Sequence, residues 1–155
     1  MERNSTPYSQ LKIFYQQETL KHLLNGERCS PVYIRIKPTN RCNHNCSYCH
    51  YRNAYLDLDQ YVPDDEIPRD KMLQIVQDMS QIGVKAVTFS GGGEPLLYPY
   101  IEETMEKLLE SGIDLSVITN GSLLSGKKAE ILAHAKWLRI SIESCHDEED
   151  CRIRG

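Results

Sequence analysis

Cys42, Cys46 and Cys49 lie in the run Arg41-Cys42-Asn43-His44-Asn45-Cys46-Ser47-Tyr48-Cys49-His50. Three residues separate the first pair and two the second. Four cysteines would close a tetrahedral metal site. Three thiolates on a short loop can hold a metal cluster and leave one metal atom without a protein ligand, open to a small molecule. Two other readings compete. Three buried structural thiols would need an apolar segment, and Asn43, His44, Asn45 and Ser47 do not make one. A closed zinc site could use the three thiolates with His44 or His50. Structural zinc modules usually draw ligands from two separated knuckles, whereas every candidate here sits on one loop.

Gly91-Gly92-Gly93-Glu94-Pro95 is the next run of interest. Glycine permits close backbone approach, so the run is either a turn or a place where exposed N–H and C=O groups meet a ligand's amino and carboxylate groups. It matches neither a phosphate-binding P-loop nor a dinucleotide fingerprint. Asn120-Gly121 is a turn signal. Ser141 interrupts an otherwise apolar strand. Tyr48, Tyr51, Tyr55 and Tyr61 read as loop packing, except that Tyr48 stands inside the cysteine motif. His44, His50, His134 and His146 read as surface residues, Cys29, Cys145 and Cys151 as free thiols, and Asp147 to Asp150 as solvated acids.

These loops need elements to position them. Residues 8–25 predict a helix carrying Leu11, Phe14, Tyr15, Leu20, Leu23 and Leu24, stopped by Asn25-Gly26. Residues 32–36 predict a strand that runs into the cysteine loop. Residues 51–68 predict a long surface loop. A helix from Arg69 carries Met72, Ile75, Val76, Met79 and Ile82, capped by Gly83. Residues 86–89 predict a second strand, followed by the glycine run. A helix bearing Ile101, Met105, Leu108 and Leu109 stops at Gly112. Residues 115–119 predict a third strand, ended by Asn120-Gly121. Ser125 is expected to cap a helix to about Ala135. Residues 137–142 predict a fourth strand, and the polar tail from Glu143 shows no clear period. Strands alternating with helices make parallel sheets with right-handed crossovers. All the motif loops then fall at the C-terminal ends of strands, where such folds bind ligands.

Bulk properties fit one compact α/β domain. The chain has 155 residues and a formal net charge of −4, from 18 basic and 22 acidic side chains. That balance makes no electrostatic case for nucleic acid or a membrane surface. No apolar run approaches the roughly 20 residues that span a bilayer. The first residues show no signal-peptide pattern, so a cytoplasmic location is expected. Six cysteines in a reducing compartment point to metal or redox chemistry rather than disulfides.

Cys-x3-Cys-x2-Cys with an aromatic residue before the last cysteine resembles the signature of the radical S-adenosylmethionine (SAM) superfamily. Gly92 to Pro95, Ile118 to Gly121 and Arg139 to Ile142 resemble further segments of that family in the same order. The likeness runs from about Val32 to Ile142, and more loosely to Arg154-Gly155. It implies a partial parallel (β/α) barrel, an N-terminal helical extension over residues 1–30 and a core from 31. It implies a 4Fe–4S cluster held by Cys42, Cys46 and Cys49, with SAM on the fourth iron. Reductive cleavage of SAM would give methionine and a 5′-deoxyadenosyl radical that takes hydrogen from a substrate. Tyr48 would lie by the adenine, and Gly92, Gly93 and Glu94 would meet the SAM amino group. Thr119, Asn120 and Ser141 would contact its carboxylate or ribose. The extra glycine, Gly91, shifts the register of the second motif by up to one residue.

The family core has six strand–helix units, and four are expected here. Residues Asp150 to Gly155 read as the approach to a further helix, so a truncated core is expected. A lone fourth-strand edge exposes backbone donors and acceptors, so a partner or self-association is expected to cover it. The resemblance also implies an electron donor such as flavodoxin or ferredoxin. The competing function is a non-catalytic metal-binding module or degenerate relic.

Overall fold

The computed structural model describes residues 14–51 and 61–155. Four parallel strands form one open sheet in the order β1-β2-β3-β4: Tyr33–Ile36, Ala86–Phe89, Asp114–Thr119 and Trp137–Ile140. The helices are α1 (Gln17–Leu24), α2 (Arg69–Ile82), α3 (Ile101–Glu110), α4 (Gly126–Leu132) and α5 (Asp147–Arg154). This is the expected partial (β/α) barrel of four strands.

Register explains the packing. Ile36, Phe89, Val117 and Leu138 are aligned across the four strands, and Ile34, Val87 and Leu115 form the row before them. Side chains alternate faces along a strand, so these rows share one face. That face packs on Met72, Val76 and Met79 of α2 and on Ile101, Met105 and Leu108 of α3, all buried. The apolar spacing at three and four residues in both helices is what presents those side chains together. Gly83, in the left-handed conformation that glycine alone adopts cheaply, ends α2 and turns the chain into β2.

Several boundaries differ from expectation. Helix α1 begins at Gln17, so Phe14 and Tyr15 precede it, and residues 8–13 of the expected helix lie outside the described residues. None of its residues is buried: apolar spacing found no core to pack against. Ser125 precedes α4, but its side chain makes no capping bond, and its carbonyl instead accepts the Ala129 N–H. β4 ends at Ile140, although the Ser141 N–H still donates to the Thr119 carbonyl. Of the expected loop at 51–68, residues 52–60, Tyr55 among them, lie outside the described residues. The rest is more tied down than a surface loop: Glu66 bridges Thr39, Ile67 N–H donates to Pro38 O at 2.9 Å, and Asn40 N–H to Asp65 O at 2.8 Å. The polar tail lacks an apolar period, as expected, yet forms a helix, α5.

Candidate cofactor site

The cysteine loop leaves the end of β1 and is held from three directions. The glycine run after β2 is the first. Gly93 N–H donates to Thr39 O at 2.9 Å and Glu94 N–H to Arg41 O at 2.8 Å. The contact is close because glycine is there: a Cβ on Gly93 would stand 1.9 Å from Arg41 O, and one on Gly92 would stand 2.6 Å from Asn40 Oδ1. This narrows the expectation of exposed N–H groups in the run. Those of Gly93 and Glu94 are spent on the protein, so the run has carbonyl oxygens to offer a ligand. Gly91 and Gly92 have φ of 74° and 69°, and Gly93 is the residue pressed against the cysteine loop.

The turn after β3 is the second direction. Asn120 Nδ2 donates to Asn43 Oδ1 at 2.9 Å, and Asn43 Nδ2 donates to Ser122 Oγ at 2.7 Å. Asn43, between the first two cysteines, therefore locks the cysteine loop to Asn120-Gly121-Ser122. Beneath them Glu94 is buried. Its Oε1 accepts from Leu96 N–H at 3.0 Å and from the Thr119 hydroxyl at 2.6 Å, and its Oε2 accepts from Asn120 N–H at 2.8 Å. The Thr119 oxygen in turn accepts Gly121 N–H at 3.0 Å. Glu94 and Thr119 thus shape the site from below through side chains already engaged with each other.

The third direction is α5. The last carbonyls of a helix lack intrahelical partners. Here Arg154 O accepts Asn45 N–H at 2.7 Å, and Ile153 O accepts Ser47 N–H at 3.0 Å. The buried Arg154 guanidinium donates to Asn120 O at 3.2 Å and to Ser141 O. Its Nε lies 3.0 Å from Asp150 Oδ1, an ion pair without good hydrogen-bond alignment. Asp150 is therefore engaged, not simply solvated as the acidic run suggested.

Tyr48, half-exposed, donates its hydroxyl to Glu143 Oε1 at 2.6 Å. That bond to a carboxylate, followed by burial, raises the phenol above its ordinary range. Tyr51 stacks on Tyr61, and the Tyr61 hydroxyl donates to Asn40 O at 2.9 Å, so the tyrosine packing around this loop is as expected for that pair. Ser141 is half-buried one residue past β4.

Cys42, Cys46 and Cys49 form no disulfide and are half-buried on the same loop, and Cys29, Cys145 and Cys151 form none either. His50, His134 and His146 are exposed, while His44 is half-buried. Among the described residues no group of three His, Cys, Asp or Glu side chains is gathered as for a single metal ion. The donor set of three thiols on one loop, none of them in a disulfide and with the other motif loops bonded to that loop, fits a thiolate-ligated cluster. Asn43, Ser122, Glu143 and Arg154 were not among the candidates from sequence. Asn43 was in plain view within the motif, and the others carry no local signal.

The family model described as the radical SAM superfamily matches residues 36–155. The chain belongs to the radical SAM superfamily. Members bind a 4Fe–4S cluster and SAM, and the chain resembles enzymes. It is 32% identical over 114 residues to the S-adenosylmethionine-dependent nucleotide dehydratase of Lacinutrix mariniflava, covering 72% of this chain and 23% of that one. It is 36% identical over 112 residues to the GTP 3′,8-cyclase of Staphylococcus saprophyticus, covering 70% of this chain and 32% of that one. The chain therefore spans a third or less of these two relatives. Streptococcus suis SuiB bound to S-adenosylmethionine superposes with a TM-score of 0.67 at 23% identity, covering 96% of this chain and 34% of that one, a likeness of fold. Among the described residues no helix is long and apolar enough to cross a membrane.

Proposed function

We propose that this chain is the cofactor-binding part of a radical SAM enzyme acting in the cytoplasm, with Cys42, Cys46 and Cys49 holding the 4Fe–4S cluster. The observation that carries this reading is the bonding of the cysteine loop to the loops after β2 and β3, through Gly93–Thr39, Glu94–Arg41 and Asn43–Asn120. When bound, the cluster and SAM supply reductive cleavage to a 5′-deoxyadenosyl radical, which takes hydrogen from the substrate. The protein binds and orients. The carbonyls of the Gly91–Gly93 run suit an ammonium, which only donates. The half-exposed Tyr48 ring, its hydroxyl anchored on Glu143, offers a flat apolar face to an adenine. Thr119 and Asn120 have committed their side chains to Glu94 and Asn43, so they act by placing the loop. Ser141 spends its N–H and carbonyl on protein partners, and its hydroxyl is the group left for a carboxylate or ribose.

Residues 1–30 form an extension to a core at 31–155. The absence of buried residues in α1 and the family match beginning at residue 36 support that division. A flavodoxin or ferredoxin would supply the electron. Further strand–helix units or a second copy would cover the free edge of β4, where Ile140 and Ile142 are exposed. Anaerobic reconstitution with iron and sulfide tests the reading, with optical and paramagnetic spectra, SAM titration with and without cluster, and chromatography for 5′-deoxyadenosine after dithionite. A cluster spectrum and cluster-dependent SAM binding are expected. One zinc per chain without labile sulfide, or equal SAM affinity in the metal-free chain, overturns it.

A further inference from the structure

The sheet face turned away from the helices has a charge pattern that the cofactor site does not use. Arg35, Thr88, Ser116 and Trp137 are aligned across the four strands. They alternate with the helix-facing rows, so they share the opposite face. The next positions along, Lys37, Ser90, Ile118 and Arg139, continue that face toward the cysteine loop, with Ile118 and Arg139 in register. Arg35, Lys37, Trp137 and Arg139 are exposed on the two outer strands, whereas Thr88, Ser90 and Ser116 on the inner strands are buried. The result is a polar floor between cationic walls. At its far end it opens into a hollow of about 550 Å³ lined by Tyr33, Ala86, Asp114, Ser116 and Trp137 among others.

Three positive charges stand in these two rows without a carboxylate among them, in a chain whose formal net charge is −4. Asp114, one row further, lies 3.6 Å from Lys136. Among the described residues, Arg35 and Arg139 make no ion pair, and Lys37 Nζ lies 4.5 Å from the Tyr51 ring centroid, a cation–π contact that leaves its charge unneutralised. Thr88 is fully buried in the same row, and its hydroxyl has no hydrogen-bond partner. Unpaired Arg and Lys on either side of hydroxyl groups form an anion site, because guanidinium and ammonium donate to oxyanions and hydroxyls can do the same. Neighbouring strands lie about 4.8 Å apart, so β1 and β4 are separated by roughly 14 Å. That span suits an extended ligand. Long Arg and Lys side chains reach inward from both walls, so a phosphoryl chain, with several negative charges, can meet both, and a single carboxylate carries only one charge.

We propose that this face binds the substrate of the radical reaction through a phosphoryl group held by Arg35, Lys37 and Arg139. The proposal rests on the reading of the chain as a SAM-dependent enzyme, but anion binding can be measured without cluster or SAM. Trp137 is the only tryptophan in the chain and lies in the site. The full chain, metal-free, is titrated with inorganic tripolyphosphate while Trp137 emission is followed, with succinate at matched ionic strength in a parallel arm. A saturable change with tripolyphosphate and none with succinate is expected. Arg35→Gln and Arg139→Gln should each weaken binding about tenfold, since a hydrogen bond to a charged group is lost. Arg35→Lys should fall between. Lys71→Gln on α2 should bind as wild type. Both arginines are exposed, and circular dichroism confirms that the variants fold. No saturable change, an equal response to succinate, or unchanged affinity in both glutamine variants overturns the proposal. Iron and sulfide content, measured separately, reports on the cluster reading alone.

Discussion

Replacing Glu94 by glutamine removes one oxygen from the most densely bonded side chain beneath the site. Glutamine keeps a single acceptor oxygen. If that oxygen takes the Oε1 position, Leu96 N–H and the Thr119 hydroxyl stay bonded, and the new NH2 faces the Asn120 N–H, donor against donor. If it takes the Oε2 position, Asn120 is satisfied and Leu96 N–H is orphaned. The Thr119 oxygen could then accept from the amide, although it already accepts Gly121 N–H. Either way one backbone N–H in the interior loses its partner, at about 1–3 kcal/mol, and the remaining bonds lose the charge on the acceptor, roughly another 1 kcal/mol. The expected loss is therefore about 2–4 kcal/mol, a large part of the stability of an ordinary domain. The fault also reaches the cysteines, because Asn120 bonds Asn43 through Nδ2. Urea denaturation followed by circular dichroism measures the first effect. Iron bound per folded chain after reconstitution measures the second. Thr119→Val completes a double-mutant cycle in which the two losses should be strongly non-additive, since the groups are 2.6 Å apart. A Glu94→Gln protein within about 0.5 kcal/mol of wild type, with full iron content, would refute the role given to Glu94.

Cys42→Ala, Cys46→Ala and Cys49→Ala should each abolish cluster binding, while Cys29→Ala, Cys145→Ala and Cys151→Ala leave it intact, as read by iron and sulfide per chain. Gly93→Ala should prevent the glycine run from seating on the cysteine loop, with a cost of about 1–3 kcal/mol or more from overpacking. Gly112→Ala meets no atom within 4 Å but has φ of 70°, so it should cost only about 1 kcal/mol and keep its iron. Equal iron content in the two variants would count against the close contact. The Tyr48–Glu143 bond favours the neutral phenol, so its stabilisation is present below the ordinary phenol pKa near 10 and is lost as pH rises through the higher folded value. Ultraviolet difference titration of Glu143→Gln should show one tyrosine ionising at lower pH than in wild type. Tyr98, which burial pushes up to about 12, should be unmoved. No difference between the two titrations would dissociate Tyr48 from Glu143.

The parallel sheet was legible because its helix-facing residues are simple: β-branched and aromatic runs alternating with helices whose apolar residues fall three and four apart. Convergence of the motif loops was legible for the same reason, since topology alone puts them at one edge. Helical spacing found α1 but said nothing of its burial, because such spacing signals an amphipathic surface without saying whether a core exists to receive it. The glycine run was legible as a place of close approach. That its N–H groups go to Thr39 and Arg41 depends on how two distant loops meet, which no local pattern encodes.

The contribution of α5 shows where such reading stops. Asp147 to Arg154 is polar and lacks an apolar stripe, so periodicity had nothing to report. What it does is done largely by backbone and by one buried charge. The terminal carbonyls of Ile153 and Arg154 take the N–H groups of Ser47 and Asn45, and the Arg154 side chain donates to the carbonyls of the residues that follow β3 and β4. A guanidinium with several fixed donors can join these carbonyls where a lysine, with one mobile nitrogen, would hold the same set less firmly. The cysteine loop thus gains its order from a helix more than 100 residues later in the chain. The side chains that would perform the chemistry are recognisable by type and spacing. The groups that hold them still are mostly main chain, and only the fold shows which ones they are.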